Sequence, residues 1–193
     1  MKRTLVAIAI VAVLAFGSTA AFAGTITYTE SATATGTIGG VAYTDALVTL
    51  TLVGDTANVT GGSGFFTNAV GTFMLSIAGV GSGTFTDSMY VFDNQGAVAA
   101  GFADATVGGS VLDTFDTAFG TYDLKSAIGP ITNTNFIRPD LTYGTTLGAF
   151  TIASAGLSTF TATTTVVPEP GSLMLLGSGV IGLAGLLRGK MGV

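Results

Sequence analysis

The sequence predicts a mainly β protein, a single antiparallel β-sandwich or jelly-roll-like domain between two apolar terminal segments expected to be helical. Three observations predict it. Apolar residues in the central part recur with a period of two, threonine is their usual polar partner, and glycine-rich breaks separate the runs at short intervals. Threonine is β-branched and stiff at χ1, and its hydroxyl suits a wet strand face.

Taken in order, Leu47 to Val53 sets Thr49 and Thr51 between Val48, Leu50 and Leu52. Thr72 to Val80 puts Phe73, Leu75 and Ile77 on one face, and Thr84 to Phe92 and Leu157 to Val167 alternate likewise. Breaks are expected at Gly39-Gly40, Gly54-Asp55, Gly61 to Gly64, Gly81 to Gly83, Asp93 to Gly96 and Gly108-Gly109. Asp113 to Ile128 is the least strand-like stretch, read as a loop or a short turn of helix. The last strand, Ser158 to Val166, runs almost straight into a proline motif. One domain, residues 24–166, is expected with no internal linker, and its 143 residues suffice for one core.

The ends read as export machinery. Met1-Lys2-Arg3 is a charged start, Leu5 to Phe16 an apolar run of 12 residues, and Ala21-Phe22-Ala23 a small-x-small cleavage pattern. Residues 1–23 are therefore read as a secretory signal that signal peptidase recognises at Ala21 and Ala23 and cuts after Ala23, with Gly24 as the mature start. At the other end, Pro168-Glu169-Pro170 precedes an apolar stretch and a basic end, Arg188 and Lys190. Gly171 to Leu187 would span about 25 Å as a helix, the short end of what crosses a bilayer. Arg188 and Lys190 would hold its end on the cytoplasmic side.

Charge and composition narrow the chemistry. The central domain carries ten acidic residues against two basic ones, Lys125 and Arg138, a net charge of −8. Nucleic-acid phosphates and anionic lipid heads would be repelled, so no nucleic-acid partner is expected. The chain has no His and no Cys. That removes disulfides, a Ser-His-Asp triad and His-ligated zinc. Two facing carboxylates could hydrolyse a glycoside, but Glu30 is the only Glu in the domain and the Asp residues stand beside turn formers. No enzyme activity and no cofactor are expected, and an exported hydrolase ranks third among the functional readings.

Two binding chemistries stay open. Asp87, Asp93, Asn94 and Asp104, with Asp113 and Asp116 behind them, offer oxygen ligands for calcium, yet form no EF-hand or Gly-Asp repeat. Sugar platforms use exposed aromatics. There is no Trp, but Tyr28, Tyr43, Tyr90, Tyr122 and Tyr143 and the loop pair Phe65-Phe66 are candidates. Thr-x-Thr recurs at residues 25–29, 33–37, 49–51, 84–86 and 159–163. The irregular intervals point to solvent faces of strands. A flat Thr array for ice or another crystalline surface needs evenly spaced ranks, which the sequence does not display.

Val167-Pro168-Glu169-Pro170-Gly171-Ser172, the apolar run and the Arg188 end closely resemble the PEP-CTERM sorting signal of Gram-negative bacteria. A tail of this kind is also assigned as the C-terminal region of some bacterial ice-binding proteins. The resemblance covers about the last 27 residues, with all three elements in order. It implies a substrate of an exosortase-type membrane protease, with Pro168, Glu169 and Pro170 as sorting residues in a signal spanning residues 167–193. It also implies transient anchoring in the inner membrane by residues 171–187, then release to the cell surface or beyond. Proteins with this tail often accompany exopolysaccharide and biofilm genes, and many have Thr/Ser-rich bodies. The domain here, notably Phe160-Thr161-Ala162-Thr163-Thr164, is similar to PEP-CTERM proteins of no assigned activity. The expectation is a secreted structural or adhesive protein of the cell surface or extracellular matrix, the alternative a matrix module that binds glycan or ice.

Overall fold

The computed structural model describes residues 24–165. The signal segment, the sorting tail and the two terminal helices expected in them lie outside the described residues. Within these bounds the chain is mainly β, with no α-helix.

The chain opens with two long strands, β1 (Thr25–Ile38) and β2 (Val41–Asp55), and then makes two short ones, β3 (Thr60–Gly62) and β4 (Phe65–Asn68). Next come β5 (Gly71–Ile77), β6 (Gly81–Thr84), β7 (Met89–Asn94), β8 (Ala99–Asp104) and β9 (Gly109–Phe115). The last four are β10 (Ile128–Asn133), β11 (Asn135–Phe136), β12 (Tyr143–Thr145) and β13 (Gly148–Thr165). They form two antiparallel sheets. One has the order β10-β13-β1-β2-β5-β6, with β12 also on β13, and the other the order β11-β9-β8-β7-β4-β3.

The period-two pattern decides which face is buried. Val48, Leu50 and Leu52 of β2 and Phe73, Leu75 and Ile77 of β5 are all buried. They share one core with Met89 and Val91 of β7, Phe102 of β8 and Leu112 of β9, so the two sheets face each other across a common apolar layer. This is the layering of a sandwich. The path is not that of a jelly roll, because tight turns keep sequence neighbours side by side: β1 with β2, β3 with β4, β5 with β6, and β7 with β8 and β9. Gly39 and Gly40 join β1 to β2 with φ of 57° and 82°, two consecutive left-handed residues that only glycine supplies without strain.

Several expected boundaries move, Gly61-Gly62 falling in β3 and Asp93-Asn94 in β7, while the break at Gly54-Asp55 holds. Gly81 to Gly83 is strand rather than turn, since β6 pairs with β5 and Ser82 Oγ donates to Ser76 Oγ at 2.9 Å. The turn falls earlier, where Val80 N–H donates to the Ile77 carbonyl. Thr84 to Phe92 is not one strand. It leaves the first sheet after Thr84 and enters the second at Met89. Its alternation survives because Phe85 still packs inward, edge-on to Phe150 at 6.2 Å. Gly54-Asp55 ends β2, and the Asp55 carboxylate caps a single 3-10 turn by accepting the Ala57 N–H at 2.7 Å.

Asp113 to Ile128 is only partly as expected, since Asp113 to Phe115 complete β9 and Ile128 opens β10. After β9 a 3-10 turn over Thr117–Thr121 is capped by Asp116 and buries Phe119. The final strand begins earlier than expected, at Gly148, and remains strand through Thr165, with Phe160 and Ala162 inward. In the Phe65-Phe66 pair the two rings part company. Phe66 packs on the core, while Phe65 is 43% exposed and stacks on Phe92.

Candidate functional site

The outer face of the first sheet presents an ordered field of hydroxyls. Register sets Thr132, Thr159, Ser31, Thr49, Ser76 and Ser82 in one row across six strands, from β10 to β6. Beside it run Thr161, Thr29, Thr51, Met74 and Thr84, then Thr163, Thr27, Val53 and Thr72. Thr132 and Thr159 hydroxyls lie 2.7 Å apart. Rows repeat about every 6.6 Å along a strand and members about every 4.8 Å across strands, because only alternate residues share a face. The irregular Thr-x-Thr spacing thus conceals regular ranks. Strands of different length and a β-bulge shift the intervals in sequence while pairing restores alignment in space.

The acids do not gather. Among the described residues no three or more His, Cys, Asp or Glu side chains lie together so as to hold a metal ion. Most of the calcium candidates hold their own turns or strand ends. Asp104 Oδ1 accepts the N–H groups of Thr106 and Val107, Asn94 Oδ1 accepts that of Ala97, and Asp113 Oδ1 accepts that of Phe136. Asp116 caps its turn and accepts from Asn133 Nδ2 at 3.1 Å, bonds that hold its carboxyl below the usual range. Asp87 Oδ2 accepts the Gly144 N–H at 2.5 Å. Asp93 differs. It is fully buried, neither carboxyl oxygen has a partner among the described residues, and burial, reinforced by the charge of Asp123, pushes its pKa to about 7.

Glu30 is the acid that sequence reading placed least well. The alternation Ile26, Tyr28, Glu30, Ala32 points it inward, and it is fully buried. Thr114 Oγ1 donates to Glu30 Oε1 at 2.6 Å, the Thr114 and Ser158 hydroxyls also lie 2.6 Å apart, and Ser158 Oγ donates to the Asp113 carbonyl at 3.2 Å. Burial lifts the Glu30 pKa well above its ordinary value, more than the Thr114 bond lowers it, and the Asp113 charge lifts it further. Asp113, itself raised to about 6 by burial, lies one residue from Thr114. Glu30 is thus a buried carboxyl between the sheets, with hydroxyls and the charge of Asp113 as its neighbours.

Four of the five tyrosines are spent on structure. Tyr28 donates to the Leu124 carbonyl, Tyr43 to Thr151, Tyr122 to Ser126 and Tyr143 to Ser110. Only the Tyr90 hydroxyl has no such partner among the described residues. Tyr90 lines a cleft of about 750 Å³ where the edge of the first sheet, at β5 and the end of β6, meets β4 and β7 of the second. Phe65, Phe73 and Phe85 share the lining with Tyr90, and Asp87 and Ser88 supply polar atoms. Thr72 and Thr84 belong to both the cleft and the hydroxyl rows, so the cleft opens at a corner of that face.

The last strand of this two-sheet β domain ends at Thr165, and the sequence continues at once into a proline motif and an apolar stretch. Residues 166–188 match the family model of the PEP-CTERM protein-sorting motif, so the chain carries that signal. The match takes in Pro168, Glu169, Pro170 and Arg188 and stops short of Lys190; these residues, with Ala21 and Ala23, lie outside the described structure. The motif marks an exported protein, secreted or displayed at the cell surface, that is transiently membrane-anchored and processed by exosortase, a membrane protease. Comparison with curated proteins and with solved structures finds no match. Among the described residues no helix is long and apolar enough to cross a membrane.

Proposed function

We propose that the processed protein serves at the surface of a Gram-negative cell, or in the matrix around it, as a structural and adhesive module. In this reading it lays its hydroxyl face on neutral, hydroxylated material such as exopolysaccharide. The observation that carries this is the hydroxyl row that crosses six strands of the first sheet, from β10 to β6. Each hydroxyl both donates and accepts, none is charged, and threonine is already confined to few rotamers, so docking orders little that was free.

Replacing Ser31 and Thr49 together by lysine would interrupt the long row at its centre. Retention of the mature protein on insoluble neutral polysaccharide is expected to fall to background while the fold survives, because both positions face outward. Retention unchanged by the double substitution would remove the face from the account. Shaping of ice crystals without polysaccharide retention would instead favour ice as the ordered surface.

The sorting reading is tested by Glu169→Ala. That variant is expected to stay uncleaved in the membrane fraction and to be lost from the surface. Normal processing and display would reduce the tail to a plain membrane anchor.

A further inference from the structure

The cleft between β4, β5 and β7 has a composition that the adhesive reading leaves unused. Its aromatic rings are fixed from behind. Phe65 stacks on Phe92 at 6.2 Å, Phe73 meets Phe102 edge-on at 6.3 Å, Phe85 meets Phe150, and Tyr90 leans on Phe92 at 6.4 Å. The same lining carries polar groups without internal partners among the described residues: the Tyr90 hydroxyl, the Ser88 hydroxyl and Asp87 Oδ1. Asp87 itself is held in place by the bond from Gly144 N–H to its other oxygen. Fixed apolar walls with a few convergent polar atoms, in a volume of about 750 Å³, describe a ligand pocket.

The chemistry selects the ligand. A sugar ring offers C–H faces to aromatic rings and hydroxyls around its rim to a carboxylate. An anion would be repelled by Asp87 and by the acidic domain around it. A purely apolar molecule would strand the carboxylate and hydroxyls without water. We infer that this cleft binds one or a few residues of a neutral saccharide, and that it binds without hydrolysing. Asp87 is the only acid in the lining, whereas glycoside hydrolysis takes a facing pair of carboxyls. Because Thr72 and Thr84 join the cleft to the hydroxyl face, a chain seated in it continues onto the rows. The inference thus rests on the adhesive reading for its setting and gives it a site of recognition.

The test is a calorimetric titration of the mature protein with soluble neutral oligosaccharides built from glucose, galactose or N-acetylglucosamine. At least one series is expected to bind. Tyr90→Ala and Asp87→Asn are expected to weaken it about tenfold or more, as loss of a stacking wall or a charge-assisted hydrogen bond does. Tyr90→Phe keeps the packing and removes only the hydroxyl, so it reads the site even if the alanine variant unfolds. Failure of all three series to bind, or binding that neither Tyr90→Phe nor Asp87→Asn alters, overturns the inference. Release of shortened products would overturn its non-hydrolytic part. Retention on insoluble polysaccharide that depends on Ser31 and Thr49, without any soluble binding, would sink the cleft alone and leave the adhesive reading standing.

Discussion

The melting temperature of the mature protein is expected to fall as pH rises from mildly acidic to mildly alkaline. Glu30, Asp93 and Asp113 all carry folded-state pKa values above their ordinary ones: Asp113 at about 6, Asp93 at about 7 and Glu30 well above 4.5. In each case burial is the largest cause. In the unfolded chain these groups lose their protons near pH 4. Between that point and the folded pKa the folded state holds more protons, so stability is full in acid and drains away as pH rises. Each unit of raised pKa corresponds to about 1.4 kcal/mol, so the three acids together remove on the order of several kcal/mol by neutral pH. For a domain of this size that is on the order of 10 °C in Tm. Calorimetry across this range should show the decline, and Glu30→Gln with Asp93→Asn should flatten it. A Tm that is constant or rises toward alkaline pH would show that these carboxyls are not buried as described.

Phe160→Ala is expected to be the most damaging single truncation in the core. Phe160 is fully buried on β13, and its ring meets Phe119 edge-on at 5.5 Å, Tyr122 at 6.3 Å and Tyr28 at 6.5 Å. It is therefore the point at which the first sheet grips the 3-10 turn and the irregular segment after β9. Removing a buried Phe costs about 3–5 kcal/mol through lost burial and the cavity left behind. The expected readout is a drop in the chemical-denaturation midpoint with little change in slope. A loss below about 1 kcal/mol would mean that the irregular segment is not held by this aromatic group. Thr161→Ala, one residue on and facing outward, should be close to neutral.

Much of the fold was legible because burial follows alternation. Alternation sets Val48, Leu50 and Leu52 apart from Thr49 and Thr51 and puts Phe73, Leu75 and Ile77 on one face, and all six are buried. Where the reading slipped, pairing partners far along the chain decided the outcome. Gly81 to Gly83 looks like a turn and becomes an edge strand because β5 offers it a ladder. Thr84 to Phe92 looks like one strand and divides because β7 has β8 and β4 to join. The candidate site was legible only in pieces. Threonine ranks that are irregular in sequence become rows through register between β1, β2 and β13. The cleft brings Phe65 of β4 against the stretch that holds Phe85, Asp87 and Tyr90, and nothing in the sequence announces that meeting. Glu30 was within reach, since its parity with Ile26 and Tyr28 marks it as inward. A lone acid at an inward parity position signals a protonated core group before it signals catalysis.

The account stands or falls on the fate of the two ends, and the intact mass of the protein recovered from the cell surface reads both at once. The predicted species begins at Gly24 and ends near Pro170, having lost the signal segment and the apolar tail that follows the Pro-Glu-Pro motif. A surface protein whose mass still includes residues 171–193 would contradict it, because the motif would then be an anchor rather than a site of processing.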